Sequence, residues 1–193
     1  MYLGRFLRIV MTMGAALIVA SAMATTPASA VPPTPATSSA SNSPMGKSSL
    51  LNRQARSDAE LREQIALQLK IAPGGKQTSR NEVSYGNGKF VVTYALPGPR
   101  AIAGDADCPS GWFCFYQDIN WGYPRGKLQD CGTQDLGAWG WKDRTSSVDN
   151  STDSAVFYSS LGGEVLIRNW ARRAIAWVGA NANDRAEYVD HQC

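Results

Sequence analysis

The chain has 193 residues, 44% hydrophobic and 18% charged, enough for one ordinary domain with extensions and thin for two. Residues 31–104 carry nine Lys/Arg against four Asp/Glu, whereas residues 105–193 carry eight against twelve. All six Trp lie in that acidic second stretch, which repels phosphates and argues against a nucleic-acid partner.

Residues 1–30 read as a secretory signal. Arg5 and Arg8 precede an apolar run from Ile9 to Ala24, and Ala28-Ser29-Ala30 is an A-x-A cleavage site. The expected product is a secreted, extracellular chain starting near Val31, with no membrane contact after cleavage. Residues 31–56 are rich in Pro, Ser and Thr and read as a disordered leader. Ser57 and Glu60 then form an S-x-x-E capping box, and Leu61, Ile65 and Leu69 recur every four residues. That spacing predicts a short amphipathic helix over 57–70, stopped by Pro73-Gly74-Gly75. It is either a partner-binding or pro-segment helix, or one that packs on its own domain. Glu82–Tyr85 and Lys89–Leu96 flank Gly86-Asn87-Gly88 and predict a β-hairpin. Pro97-Gly98-Pro99 marks a boundary, so 57–104 is expected as a helix-plus-hairpin segment ahead of a domain at 105–193.

Residues 108–193 have no helical period and repeat themselves imperfectly. Phe115-Tyr116 recurs as Phe157-Tyr158, and Asp143-Arg144-x-x-x-Val148 recurs as Asp184-Arg185-x-x-x-Val189. Each aromatic pair is followed by a Gly turn, Trp121-Gly122 and then Gly162-Gly163. Two such copies suggest paired Greek keys packed as a β-sandwich. Cys108, Cys114, Cys131 and Cys193 all lie here, and an even count in an exported chain favours two disulfides. Of the three possible pairings, Cys114–Cys131 would close a hairpin and Cys108–Cys193 would tie the domain's ends; these are the expected ones. A zinc site is the competing reading, and it lacks CxxC spacing.

These residues resemble the βγ-crystallin Greek keys, in which an aromatic residue, a Gly about seven positions on and an acid/amide–hydroxyl stretch recur. Phe115 with Gly122 fits the first part, and Lys142-Asp143-Arg144-Thr145-Ser146-Ser147 nearly fits the second. The series Cys108-Pro-Ser-Gly-Trp-Phe-Cys114-Phe-Tyr116, Trp121-Gly122, Cys131, Trp139-Gly140-Trp141 and Asp143-x-x-Ser146-Ser147-Val148 is similar to peptidase inhibitor family I36 of secreted actinobacterial proteins. The resemblance implies an all-β, βγ-crystallin-like double Greek-key sandwich with a short N-terminal helix and hairpin extension. It also implies a monomeric inhibitor of secreted peptidases, metallopeptidases of the thermolysin type above all. The same fold serves calcium-binding crystallins and toxin-like proteins, so fold does not settle function. The family's inhibitory loop is braced by a local disulfide; the short-range Cys pair here is Cys108/Cys114, and no reactive bond carries over.

No enzyme is expected. The single His191 would have to carry every Ser-His-Asp or Cys-His design, and no HExxH, phosphate loop or paired sugar-cleft carboxylates stand out. No cofactor is required, and Ca²⁺ is the one the residues suggest. Asn183 and Asp184 with Ser146 form the more intact half of a Greek-key calcium site; the other half would set Lys142-Asp143 against Glu187, where Lys142 opposes a cation or pairs with the Glu. The alternative is that these are turn residues satisfying loop backbone. Candidate peptidase contacts are the Gly132–Gly140 loop and the 169–174 turn with Trp170, Arg172 and Arg173, residue types common in interface anchors. Trp139 and Trp141 read as core. The rival to inhibition is a binding module for weak Ca²⁺ or cell-wall glycan.

Overall fold

A computed structural model describes residues 50–99 and 105–193. The signal expected over residues 1–30 and the leader expected over 31–56 lie outside them up to residue 49. Within the leader's last stretch, 50–56, Leu51 and Ala55 are buried in the core rather than disordered, because their apolar side chains pack with the helix and hairpin that follow.

Helix α1 spans Asp58–Ile71. Ser57 is extended and caps it, its Oγ accepting the Glu60 N–H at 3.2 Å. Glu60 does not complete the box on Ser57. Its carboxylate accepts the Arg56 N–H at 2.6 Å and pairs with the Arg53 and Arg56 guanidiniums. Hydrogen bonds from Arg53, then Arg56, hold its pKa down at about 2. A depressed acid stabilises the fold above its unfolded value of 4.5 and loses that contribution as pH falls toward 2. Glu60→Gln should therefore lower the melting temperature at pH 7, with the difference from wild type closing near pH 2. A gap that stays constant with pH would refute the ion-pair origin.

The helix buries Leu61, Ile65, Gln64 and Gln68. Gln68 is fully bonded inside: its Nε2 donates to Trp139 O at 2.7 Å and to Tyr85 Oη at 3.1 Å, and its Oε1 accepts from Tyr94 Oη at 3.0 Å. Gly140 makes this docking possible. It stands at φ 67°, and a Cβ there would come within 2.8 Å of Ile71 Cγ2.

Strands β1 (Lys76–Gln77), β2 (Glu82–Tyr85) and β3 (Phe90–Thr93) follow, the last two joined by the expected turn at Gly86–Gly88. The next four are β4 (Phe113–Asp118), β5 (Gly122–Leu128), β6 (Gly132–Asp135) and β7 (Ser147–Asn150). The last four are β8 (Val156–Ser159), β9 (Val165–Asn169), β10 (Arg173–Ile175) and β11 (Tyr188–His191). One sheet runs β1-β2-β3-β5-β4-β7-β10, the other β6-β11-β8-β9, and every pairing is antiparallel.

Each four-strand unit lends its third strand to the opposite sheet: β6 leaves the first unit, and β10 leaves the second. That exchange makes the two Greek keys one body, and the βγ-crystallin-like double Greek-key class holds. The repeat corrects the sequence alignment by one residue. Phe115 pairs with Val148, and Tyr158 pairs with Val189. Phe115 is thus the counterpart of Tyr158 rather than of Phe157, because successive residues of a strand face opposite sides. Phe115 and Tyr158 meet edge-on in the core at 6.1 Å, and Trp141 caps Phe115 at 5.2 Å.

The hairpin extension shares this core. Strand β3 pairs with β5 from Phe90↔Leu128 to Thr93↔Arg125, so one seven-stranded sheet holds strands of both the hairpin and the Greek keys. All four β3 positions are buried. Gly126 lies under this seam, where a Cβ would fall 2.3 Å from the Phe115 ring.

The disulfides differ from the expected pairs. Cys108 bonds Cys114, and Cys131 bonds Cys193. Cys114 lies opposite Lys127 in the β4–β5 ladder, and the chain has left that sheet for β6 by residue 132, which carries Cys131 away. The turn at Gly111 folds Cys108 back onto Cys114, while β11 returns alongside β6 and brings Cys193 to Cys131.

Candidate functional site

Strand β7 lies between β4 and β10, and a cluster of candidate residues stands at each of its ends. At its start, two equivalent loops interlock. The Asp143 N–H donates to Ala186 O at 3.0 Å, and the Asp184 N–H donates to Thr145 O at 3.1 Å. Both aspartates stand in the left-handed region, at φ 56° and 53°, which Asp tolerates better than most residues.

Between the loops is a cleft of about 400 Å³ lined by Asp118, Asp143, Arg144, Ser146, Asn183 and Asp184, among others. Ser146 Oγ lies 3.4 Å from Asp184 Oδ1, and Asn183 Nδ2 donates to Asp184 Oδ2 at 2.7 Å. All three expected calcium residues are thereby brought together. Burial, then the charges of Asp143 and Asp118, pushes the Asp184 carboxyl up; burial, then Glu187, does the same for Asp143. Lys142 is turned onto Glu187 in an ion pair. Arg144 is taken up by Gln117 Oε1 at 2.6 and 3.0 Å, by Gly140 O at 2.8 Å, and by the face of Trp141. The donor set is oxygen-rich and anionic, which fits a hard cation such as Ca²⁺. Asp118, on the end of β4, was not legible as a member of this cleft, because the acidic and hydroxyl residues it joins there come from the 143–146 and 183–184 loops, distant in sequence.

At the other end of β7, Asn150 is fully buried and holds two turns together. Its Nδ2 faces Ser154 O at 2.8 Å, Asn169 O at 3.1 Å and Trp170 O at 3.2 Å. Its Oδ1 accepts from Thr152 N–H at 3.0 Å and Thr152 Oγ1 at 2.7 Å. Arg172 is braced as well. Its N–H reaches Thr152 O at 3.2 Å, and its guanidinium reaches Ser151 O at 3.0 Å and the Asp153 carboxylate at 2.8 and 2.9 Å. Ser151 links this turn to the disulfide loop: Gly111 N–H donates to Ser151 O at 2.9 Å, and Ser151 N–H donates to Trp112 O at 3.0 Å. The Cys108–Cys114 loop, the 151–154 turn and the 170–173 turn therefore form one contiguous edge.

Trp170 stands 52% exposed on that edge, its ring edge-on to Phe157 at 5.6 Å. Arg173 is exposed at the start of β10. The Gly132–Gly140 loop is not a comparable free segment. It contains β6 and the buried Leu136, and helix α1 covers its end through Gln68 and Trp139 O. Trp141 is fully buried as expected, and Trp139 is partly buried, stacked on Phe90 at 4.7 Å. Asn150, Thr152 and Asp153 escaped the sequence reading. Their signal was the run Asp149-Asn-Ser-Thr-Asp-Ser154, a dense cluster of turn formers.

Residues 101–164 match the profile of peptidase inhibitor family I36. The sequence resemblance holds over those residues, which include the disulfide loop, the 151–154 turn and all of β4–β8. Among curated proteins, none matches the chain. Solved structures similar to this chain are βγ-crystallin domains. A double mutant of clostrillin in complex with nickel is 22% identical, covering 42% of this chain and 98% of its own, at a TM-score of 0.36. A βγ-crystallin domain from Clostridium beijerinckii is 24% identical over 42% and 95%, also at 0.36. The βγ-crystallin from Ciona intestinalis is 16% identical over 42% and 100%, again at 0.36. Among the described residues, no helix is long and apolar enough to cross a membrane.

Proposed function

We propose that the protein is a secreted, monomeric peptidase inhibitor that occludes the active-site cleft of its target, metallopeptidases being the favoured class. The family match over residues 101–164 supports the inhibitor class. The observation that carries the mode of action is the rigid edge around Asn150. An inhibitory segment must present exposed side chains on a backbone that does not yield, because preorganisation lowers the ordering cost of binding. Trp170 and Arg173 are exposed, while the carbonyls of Asn169 and Trp170 are tied to Asn150, and Arg172 is tied to Asp153. The adjoining loop is closed by a six-residue disulfide separation, Cys108 to Cys114. No catalytic role falls to any residue in this reading.

The test is a titration of residues 31–193, oxidised, against a thermolysin-type metallopeptidase and a subtilisin-type serine peptidase. Stoichiometric inhibition of the first is expected. Trp170→Ala should weaken it at least about tenfold with little change in melting temperature, as for an exposed interface anchor. Full activity of both peptidases beside intact protein would reject the reading for these classes. Inhibition unaffected by Trp170→Ala would move the contact off this edge.

A second reading, a weak Ca²⁺ module, is favoured by Lys142 being held on Glu187 while Asp118, Asp143 and Asp184 line the same cleft. Asp184 and Ser146 would hold the ion, with Asp143 and Asp118 supplying charge. For a millimolar site of the extracellular type, 10 mM Ca²⁺ adds about 1.4 kcal/mol by mass action. Asp184→Asn tests this with two opposite signs. A raised carboxyl pKa means that the charged form costs stability above it, so the variant should melt higher than wild type at pH 7 in chelator. It should also lose the Ca²⁺ response. A wild-type melting temperature indifferent to Ca²⁺ would dismiss the site.

A further inference from the structure

One cluster lies outside both ends of β7. Cys131, His191 and Cys193 bring two sulfurs and an imidazole nitrogen within 4.8 Å of one another. In the oxidised protein the sulfurs are bonded to each other, and His191 Nδ1 lies 3.3 Å from Cys193 Sγ. We propose that thiol reduction of this disulfide turns the cluster into a site for one thiophilic divalent cation, with Zn²⁺ as the type, held by both thiolates and His191 Nδ1.

The ligand chemistry is the first support. Two thiolates and an imidazole are a zinc donor set, and a fourth, tetrahedral position is left for water. The backbone is the second. Strand β11 lies between β6 and β8, with His191 opposite Gly132 on one side and Val156 on the other. Gln192 N–H continues the pairing to Ala155 O at 2.9 Å. Cys131 directly precedes β6 and Cys193 lies two residues beyond the end of β11, so the sheet places all three ligands without needing the S–S bond.

The imidazole is the third. Its Nε2 lies 3.2 Å from Thr152 Oγ1, and that hydroxyl stands 2.7 Å from Asn150 Oδ1. A hydroxyl that donates to Asn150 accepts from Nε2–H, which leaves Nδ1 unprotonated and facing the sulfur. A metal-binding His is commonly oriented in this way through its other ring nitrogen. Nδ1 is also 3.3 Å from Asp130 O, which attracts the opposite tautomer, so metal capture gives up that contact. His191 is buried, whereas Cys131 and Cys193 are exposed, so a small thiol has access.

The chemistry balances. One protein disulfide and two small thiols give two protein thiols and one small disulfide. Zn²⁺ then replaces the two thiol protons, which leave to solvent. The metal takes over the tie between β6 and the C-terminus, a link that spans 62 residues of sequence.

The test uses the full chain reduced with dithiothreitol, freed of it without air, and titrated with Co²⁺ and then Zn²⁺. Reduced protein should bind one Co²⁺ with thiolate charge-transfer and tetrahedral ligand-field bands, which Zn²⁺ displaces; oxidised protein should bind none. His191→Gln and Cys131→Ser should each weaken binding at least tenfold. Both leave Cys108 and Cys114 in place, so unchanged affinity in both would assign the metal to that pair and overturn the proposal. If the reduced chain unfolds, refolding on one equivalent of Zn²⁺ supports the site. Failure to refold, or a folded reduced chain that takes up no metal, overturns it.

Discussion

Phe90→Ala is expected to cost about 3–5 kcal/mol, the range for deleting a large buried aromatic, and to lower the melting temperature by roughly 10 °C. Phe90 is fully buried at the seam between the hairpin extension and the Greek keys. Its ring stacks on Phe115 at 5.9 Å and Trp139 at 4.7 Å, meets Trp141 edge-on at 6.3 Å, and leans on Tyr85 at 5.7 Å. These neighbours belong to three separate stretches of chain, and each is fixed by its own strand or by helix α1. The void left by alanine therefore closes poorly, which is the condition for the upper part of the range. The same seam predicts what removing the extension would do. Without β3, strand β5 becomes an open edge and Phe115 and Trp141 lose cover, so residues 105–193 alone should melt far below the longer chain. Calorimetry on both proteins decides the matter. A cost below about 1 kcal/mol for Phe90→Ala would mean that the extension is only loosely applied to the sandwich.

The seam was only half visible in the sequence. The Gly86-Asn87-Gly88 turn and the flanking β-rich runs announced the hairpin. The turn and the flanking runs predict a hairpin strand without saying which faces it buries, and all four positions of Phe90–Thr93 are buried. An unbroken apolar run is the mark of a strand covered on both faces. On the second face Thr93 is met by side chains of the neighbouring strands: its hydroxyl donates to Glu82 Oε1 at 3.0 Å and lies 3.4 Å from the Arg125 guanidinium. The Greek keys were legible because the Val148 and Val189 ladders repeat. The exchange of β6 and β10 was not, because both strands are short and mostly exposed and carry no two-residue period. The disulfide pairing follows from that exchange, which is why spacing alone led to the wrong partners. For the candidate sites, Asn183, Asp184 and Ser146 could be grouped from motif positions. Glu60, by contrast, sat in a capping pattern whose side chain found two stronger partners upstream. A local motif names the group that is available, and tertiary contact decides which of several donors it meets.

Asn150→Asp should destabilise the protein by roughly 3 kcal/mol or more at neutral pH, and by less in acid. The substitution keeps shape and volume but replaces the one donor among three carbonyls with an anionic oxygen. Ser154 O, Asn169 O and Trp170 O would lose the amide donor they face, and a buried charge would stand against three carbonyl dipoles. Burial and those dipoles raise the folded pKa of the introduced carboxyl above its unfolded value. The penalty is then complete above the folded pKa and shrinks as pH falls below it, since the protonated acid can donate one hydrogen bond. Melting temperatures of variant and wild type, compared from about pH 8 down to pH 4, should therefore converge, whereas the Glu60→Gln gap closes only near pH 2. Parallel curves would mean that the lost donor matters and the charge does not. The variant also separates scaffold from contact in the inhibitor proposal. Trp170, Arg172 and Arg173 are untouched, so at a temperature where the variant is fully folded its surface chemistry is that of wild type. Weaker inhibition under those conditions would show that the held backbone of the 169–173 turn supplies affinity. Inhibition as strong as wild type, alongside the full loss of stability, would place the peptidase contact elsewhere on the sandwich.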